Sequence, residues 1–379
     1  MKIISTYRIK RTRFFKFFKW VFCIKIANKY HSKYKKYYFK GLLRAYRRFN
    51  PLMYTMEHKI FFYKFLVFRI IEQDNYRCYY FRNLLLRKFP LKKYITKHKY
   101  YKKISKHDNV FILNANSGEI YLFLMYALDL MLKKFDAKKP LLIATKKYHI
   151  EMIRMICPDV PYIFMTSFYQ NIKEEVFEIN NTRFIKIFST EHFFKVEQLI
   201  KESPNAHYFD LILDTLKINR EDIIPRNIIE LEDSKKSMMS KIQKLNLNLD
   251  NFVFLSPEAA SCELLSNEFW INLIIKLQEE GYDVFVNLIK PSETLGKVKC
   301  KSCYLTYSEA FSLVNYAKKI YSLRSGFTEF LLHTKVPMEV YYTPFRCNNI
   351  TGEQIKTGFG LLKIPDSNPE LIKEIVMKN

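Results

Sequence analysis

The chain has 379 residues, a length that suggests two or three domains, and at 49% hydrophobic and 26% charged it can bury a core and is not a disordered polymer. Its net charge of +26 is concentrated: residues 1–107 hold 30 Lys and Arg against Glu57, Glu72 and Asp74, whereas residues 108–379 balance 33 against 34. No apolar run of about 18 residues escapes interruption by charge, which excludes a predicted spanning helix, and the seven cysteines, an odd number, fit a reducing compartment better than a disulfide framework.

Residues 1–107 carry 28 of the 62 aromatic side chains, a single glycine (Gly41) and two prolines (Pro51 and Pro90). So few turn signals among dense Lys, Arg, Phe and Tyr predict a mainly helical extension with apolar and basic faces. Phe14–Ile24 has the basic flanks of a signal peptide, but Lys16 and Lys19 break its apolar core and no small-residue cleavage site follows. An AT-rich genome explains many Lys, Asn, Phe and Tyr. It does not explain why residues 1–56 contain no acid at all. Basic residues beside aromatics suit an anionic membrane surface. They also suit nucleic acid, but the segment lacks any recognisable nucleic-acid-binding motif, so that partner is the less favoured one. An ordinary basic cap is the remaining reading.

The pattern changes at Asp108. Residues 109–114 read as a buried strand, 115–119 as a turn and 120–134 as a helix with apolar residues at helical spacing. Strands at 140–145, 162–165 and 183–188 alternate with helices at 148–156 and from about Glu191. Residues 202–245, with a helix near 208–216, Pro225 and a charged stretch at 230–244, read as a connector. The alternation then restarts: strands at 251–255, 283–287, 319–323 and 338–342, and helices at 267–280, 308–317, 327–334 and 369–377. This predicts an α/β fold of two Rossmann-like domains with parallel sheets, residues 108–245 (acceptor side, with the connector) and 246–379 (donor side), behind the extension 1–107. Ligands of such sheets bind at the carboxyl ends of the strands, so the site is expected in a cleft between the domains.

Two of the eight glycines, Gly118 and Gly326, each follow a predicted strand and open a helix, the place where free backbone N–H groups meet an anion. A plain strand–helix turn is the bland alternative. In the second domain Arg324, Ser325 and Gly326 offer a guanidinium and amides suited to a diphosphate, with Ser256 and Glu258 on the same rim and Glu329 one turn on. In the first domain Asn116, Ser117 and Gly118 lead to Glu119, a candidate base on an acceptor hydroxyl, though also an ordinary first-turn acid. Cys300 and Cys303 form a CxxC without a second close pair, so no metal is expected.

Residues 108–379 resemble the ADP-heptose:lipopolysaccharide heptosyltransferases and their neighbours, glycosyltransferases of the GT-B fold. The resemblance rests on the Gly118-Glu119 turn, where the family has Gly-Asp, and on Ser325, Gly326 and Pro337 at the family spacing. Glu329 stands where many members have His. Residues 255–260, Phe269-Trp270 and residues 323–326 look more like a divergent surface-polysaccharide branch. The resemblance implies an inverting transfer of a sugar from a nucleotide-sugar donor to a lipid-linked or cell-surface glycan; with Arg324 and helix amides to carry the diphosphate charge and no acidic DxD pair after an early strand, the transfer is expected to be metal-independent. In it Glu119 acts as general base and the Ser325-Gly326 loop holds the donor diphosphate. The nucleotide-sugar is a substrate, so no cofactor is expected. The expected location is cytoplasmic, peripheral on the inner face of a bacterial membrane. A non-catalytic nucleotide- or glycan-binding protein is the alternative.

Overall fold

The computed structural model describes residues 100–165, 175–188, 198, 206–289, 298–346 and 350–377 with their side chains, and the backbone of strands between Ile4 and Pro90. The helix expected from Glu191 lies outside the described residues. Two compact units result, Met1–Lys106 with Ser167–Arg183, and His107–Thr166 with Phe184–Asn379.

In the first unit nine strands follow one another: β1 Ile4–Ile9, β2 Thr12–Phe17, β3 Trp20–Lys25, β4 Tyr34–Phe39, β5 Leu43–Asn50, β6 Thr55–Phe62, β7 Phe65–Gln73, β8 Tyr76–Phe81 and β9 Leu84–Pro90. Each pairs antiparallel with the next, as in the ladder from Leu43↔Phe62 to Asn50↔Thr55. The helical expectation for residues 1–107 is therefore corrected; the helix described there is one turn, Tyr101–Ile104. The reason lies in side-chain type. Phe, Tyr, Ile and Val favour a pleated surface, and with almost no acids the segment lacks the i,i+4 ion pairs that steady a helix. Strand β13, Val176–Ile179, ends at Asn180 and Asn181, whose φ values of 48° and 64° reverse the chain into β14, Thr182–Lys186.

The second unit is built on two parallel sheets. Strand β10, Asn109–Leu113, is buried along its whole length, as a central parallel strand with both faces covered must be. It pairs with β11, Pro140–Ala144, in a register that sets Leu113 opposite Ala144; β12, Tyr162–Phe164, lies beyond β11, and β14 flanks β10 on the other side. The second sheet runs β17-β16-β15-β18-β19-β20, comprising Lys301–Cys303, Asp283–Asn287, Phe252–Ser256, Lys319–Leu323, Met338–Tyr342 and Ile372–Val376. Here β15 is the central strand, between β16 and β18, and every pairing is parallel. The chain closes on β20, where a helix over 369–377 is expected; the apolar Ile372, Ile375 and Val376 complete the sheet edge instead.

Between the strands run α1, a continuous helix of Ser117–Leu122, a π-helical segment Phe123–Ala127 and Leu128–Lys134; α2, Lys147–Ile156; α3, Tyr208–Leu216; and α4, Glu232–Leu245. Then come α5, Asn267–Glu279; α6, Tyr307–Val314; α7, Gly326–Phe330; and α8, Gly352–Phe359. The stretch 230–244 read as charged connector is mostly α4, which places Met238 and Ile242 in the core. One apolar core is continuous through both sheets. Among the described residues no helix is long and apolar enough to cross a membrane.

Candidate functional site

Strands β10 and β15 each have neighbours on both sides, so the loops leaving β10, β15 and β18 gather at the switch points of their sheets. Two of these loops touch. A Cβ on Gly326 would collide with the Gly118 nitrogen and stand 2.6 Å from Ser117 Oγ; one on Gly118 would collide with Glu329 Oε2 and stand 3.2 Å from Gly326 Cα. Glycine at both positions is what lets the start of α1 meet the start of α7 backbone to backbone. The cleft expected between the halves is closed at this point. Around it the edges of Tyr121, Tyr307, Phe311 and Phe330 interlock, with Tyr307 5.4 Å and Tyr121 6.0 Å from the Phe330 ring.

Glu119 lies at the rim of this junction. The residue is half-buried, but its Oε2 is shut away from solvent without a hydrogen-bond partner. Burial pushes its carboxyl up to about 7 and the charge of Glu329 adds to the effect, while its own backbone N–H, Lys146 and Arg324 act the other way. A carboxylate poised near neutrality is suited to taking up a proton and releasing it again. Asn116 and Ser117 border it. Asn116 is exposed and accepts a 2.8 Å bond from Lys146 Nζ, and the Ser117 side chain hydrogen-bonds Tyr307.

Lys146, which sequence reasoning missed, belongs to this rim. Its ammonium sits 5.5 Å from the Tyr148 ring; burial lowers its proton affinity and Glu119 raises it. The signal was in the register. Leu113 and Ala144 are opposed in the sheet, so the loops 114–116 and 145–147 leave side by side although 30 residues separate them. Beneath them His149 is wholly buried and pushed down to about 3 by burial, so it is neutral.

On the other side Arg324 points inward. Its Nε donates to the Phe359 carbonyl at 2.8 Å, Nη1 to the Ser325 carbonyl at 2.7 Å and Nη2 to Glu329 Oε1 at 2.5 Å. Burial opposes its charge most, but Glu329, Tyr342 and Cys262 together outweigh burial and raise its proton affinity. An open fork awaiting a diphosphate is therefore not what the structure contains; the guanidinium is committed to the loop that carries it. Ser325 serves as N-cap of α7, exchanging bonds with Thr328, and Glu329 is buried against Arg324 and Gly118. Ser256 is buried at the end of β15, and Glu258 accepts the Ile289 N–H at 2.6 Å, which ties the loop after β15 to the loop after β16. The structure thus brings Gly118, Glu119, Arg324, Gly326 and Glu329 together and leaves Ser256 at the end of β15 and Glu258 on the loop that follows it. Among the described residues no group of three or more His, Cys, Asp or Glu side chains could hold a metal ion.

The chain is similar to a glycosyl transferase family 9 protein from Veillonella parvula, at 8% identity over 72% of this chain and 87% of that one, with a TM-score of 0.46. It is similar also to an E. coli heptosyltransferase solved with ADP (10% identity, 71% and 93%, TM-score 0.43) and to E. coli ADP-heptose LPS heptosyltransferase II (12%, 71% and 90%, 0.41). No protein-family model matches the sequence, and no curated protein matches it.

Proposed function

We propose that the protein is a glycosyltransferase of the GT-B type, transferring a sugar from a nucleotide-sugar to a glycan or glycolipid hydroxyl. The observation that carries this reading is Glu119, a half-buried carboxylate raised to about 7 at the meeting of two parallel-sheet halves. In the mechanism Glu119 accepts the proton of the acceptor hydroxyl as that oxygen attacks the anomeric carbon. Asn116, Ser117 and Lys146 line the acceptor side. The departing diphosphate is met on the donor side by the Ser325-Gly326 turn and the rim at Ser256 and Glu258. Arg324 stabilises it through its charge and by fixing that turn, because its own donors are engaged within the protein. Inversion at the anomeric carbon and a lipopolysaccharide- or capsule-type acceptor belong to the reading through the resemblance of the Gly118-Glu119 and Ser325-Gly326 turns; independence of metal belongs to it through the diphosphate charge carried by Arg324 and helix amides.

Residues 1–107 hold the enzyme on the inner face of an anionic membrane in this reading, which their net charge of +27 supports. The deciding experiment is a thermal-shift panel of nucleoside diphosphates and nucleotide-sugars, followed by transfer assays with the stabilising donor. A stabilising nucleotide-sugar with turnover supports the enzyme; stabilisation without turnover on any glycan acceptor favours a binding protein; no stabilisation by any nucleotide removes the reading.

A further inference from the structure

Glu329 is 2% exposed, and its two carboxylate oxygens have different surroundings. Oε1 receives Arg324 Nη2, and Arg324 is itself fixed by the carbonyls of Phe359 and Ser325. Oε2 has no hydrogen-bond partner and lies against Gly118, so close that a methyl group there would overlap it. A buried carboxylate oxygen without a donor is costly, and its retention needs a reason. The next residue after Gly118 is the proposed base.

We propose that Glu329 is a positioning residue for Glu119: locked by Arg324 and pressed onto Gly118, it fixes the Ser117-Gly118-Glu119 turn across the junction and sets its carboxylate beside the base. This rests on the reading of Glu119 given above and deepens it. The groups facing Glu119 come from several elements. Lys146, from the loop after β11, and Arg324, at the end of β18, favour the ionised form; Glu329, on α7, disfavours it. Tyr148 on α2 also faces Glu119, and Tyr121 and Tyr126 on α1 and Tyr307 on α6 face Glu329; burial raises all four hydroxyls, so they stay neutral. His149 is neutral as well. Burial is the larger cause of the raised Glu119 carboxyl, and Glu329 is the anion that adds to it against the two cations; without Glu329 the base would ionise at lower pH and be a weaker proton acceptor.

The test is a carbon-13 NMR titration of the full chain labelled at the Glu carboxyl carbons, with the Glu119 signal identified by its loss in Glu119→Gln. The wild-type midpoint is expected near pH 7. In Glu329→Gln it falls by about one pH unit, a tenfold loss of proton affinity. Glu329→Asp keeps a charge for Arg324 but ends one methylene short of Gly118, and its midpoint falls between the two. An unchanged midpoint in either folded variant overturns the proposal. Should Glu329→Gln leave Arg324 uncompensated and fail to fold, Glu329→Asp carries the test with the same criterion. A purely structural role would lower stability without moving the Glu119 midpoint. The titration needs no substrate, so an absence of sugar transfer would defeat the proposed function without touching this result, and the converse holds too.

Discussion

Replacing Glu119 with Gln keeps size and shape but removes the acceptor of the proton. Transfer is expected to fall by roughly 10²–10⁴-fold with nucleotide binding retained, measured by initial rates and calorimetry. The wild-type rate should rise with pH through an inflection near 7, as the carboxylate ionises. Stability moves the opposite way. Between about 4.5 and 7 the folded protein keeps a proton on Glu119 that the unfolded chain has lost, so this group favours folding at low pH and loses that contribution as pH rises through 7. Glu119→Gln should abolish the decline, of order 1–3 kcal/mol given that the residue keeps some solvent contact, in urea titrations at pH 5 and pH 8. At the facing loop, Gly326→Ala would drive a methyl group into the Gly118 backbone, and about 1–3 kcal/mol should be lost in the same assay.

Among the elements, the π-helical segment of α1 and the pair α4–α6 tie the two sheets together. Tyr126 donates to the Pro365 carbonyl at 2.9 Å and lies 3.3 Å from His333 Nε2, so Tyr126→Phe should cost about 1 kcal/mol in urea titrations. Glu309, at the start of α6, accepts from Ser237, Lys241 and the Thr306 N–H. Burial would raise its carboxyl, but these donors outweigh burial and hold it below the ordinary value. Its contribution is therefore present above about pH 4.5 and disappears on acidification, the opposite sign to Glu119. A Glu309→Gln variant should show a flatter loss of stability between pH 5 and 3. These elements also show what the chain discloses by itself. Residues 109–113 and 252–256 were legible as strands because central parallel strands are apolar without alternation. Residues 4–90 were not, since aromatic and basic residues with only Gly41, Pro51 and Pro90 among them fit helix and strand alike, and cross-strand pairing decides between them. Residues 372–376 form an edge strand, where the pattern is weakest. Glu119 and Gly326 were visible at their turns; Lys146 depended on parallel register, and the inward set of Arg324 on packing around Glu329.

For the molecule as a whole, the charge of +27 on residues 1–107 against −1 on the remainder makes salt the simplest probe. The full chain should sediment with anionic vesicles at low ionic strength, stay in solution with neutral ones, and be released as salt is raised. Sedimentation that ignores lipid charge would remove the anchoring role. The continuity of the apolar core through both sheets bears on how any ligand enters. Parting the halves at the Gly118–Gly326 contact would wet the rings of Tyr121, Tyr307 and Phe330, and newly wetted apolar surface raises heat capacity. A donor that wedges the junction apart would therefore bind with a less negative, or even positive, heat-capacity increment, whereas one that settles on the closed rim would show the usual negative value. Calorimetry at several temperatures would then distinguish two modes of entry, with the aromatic seam acting as the protein's own hydration gauge.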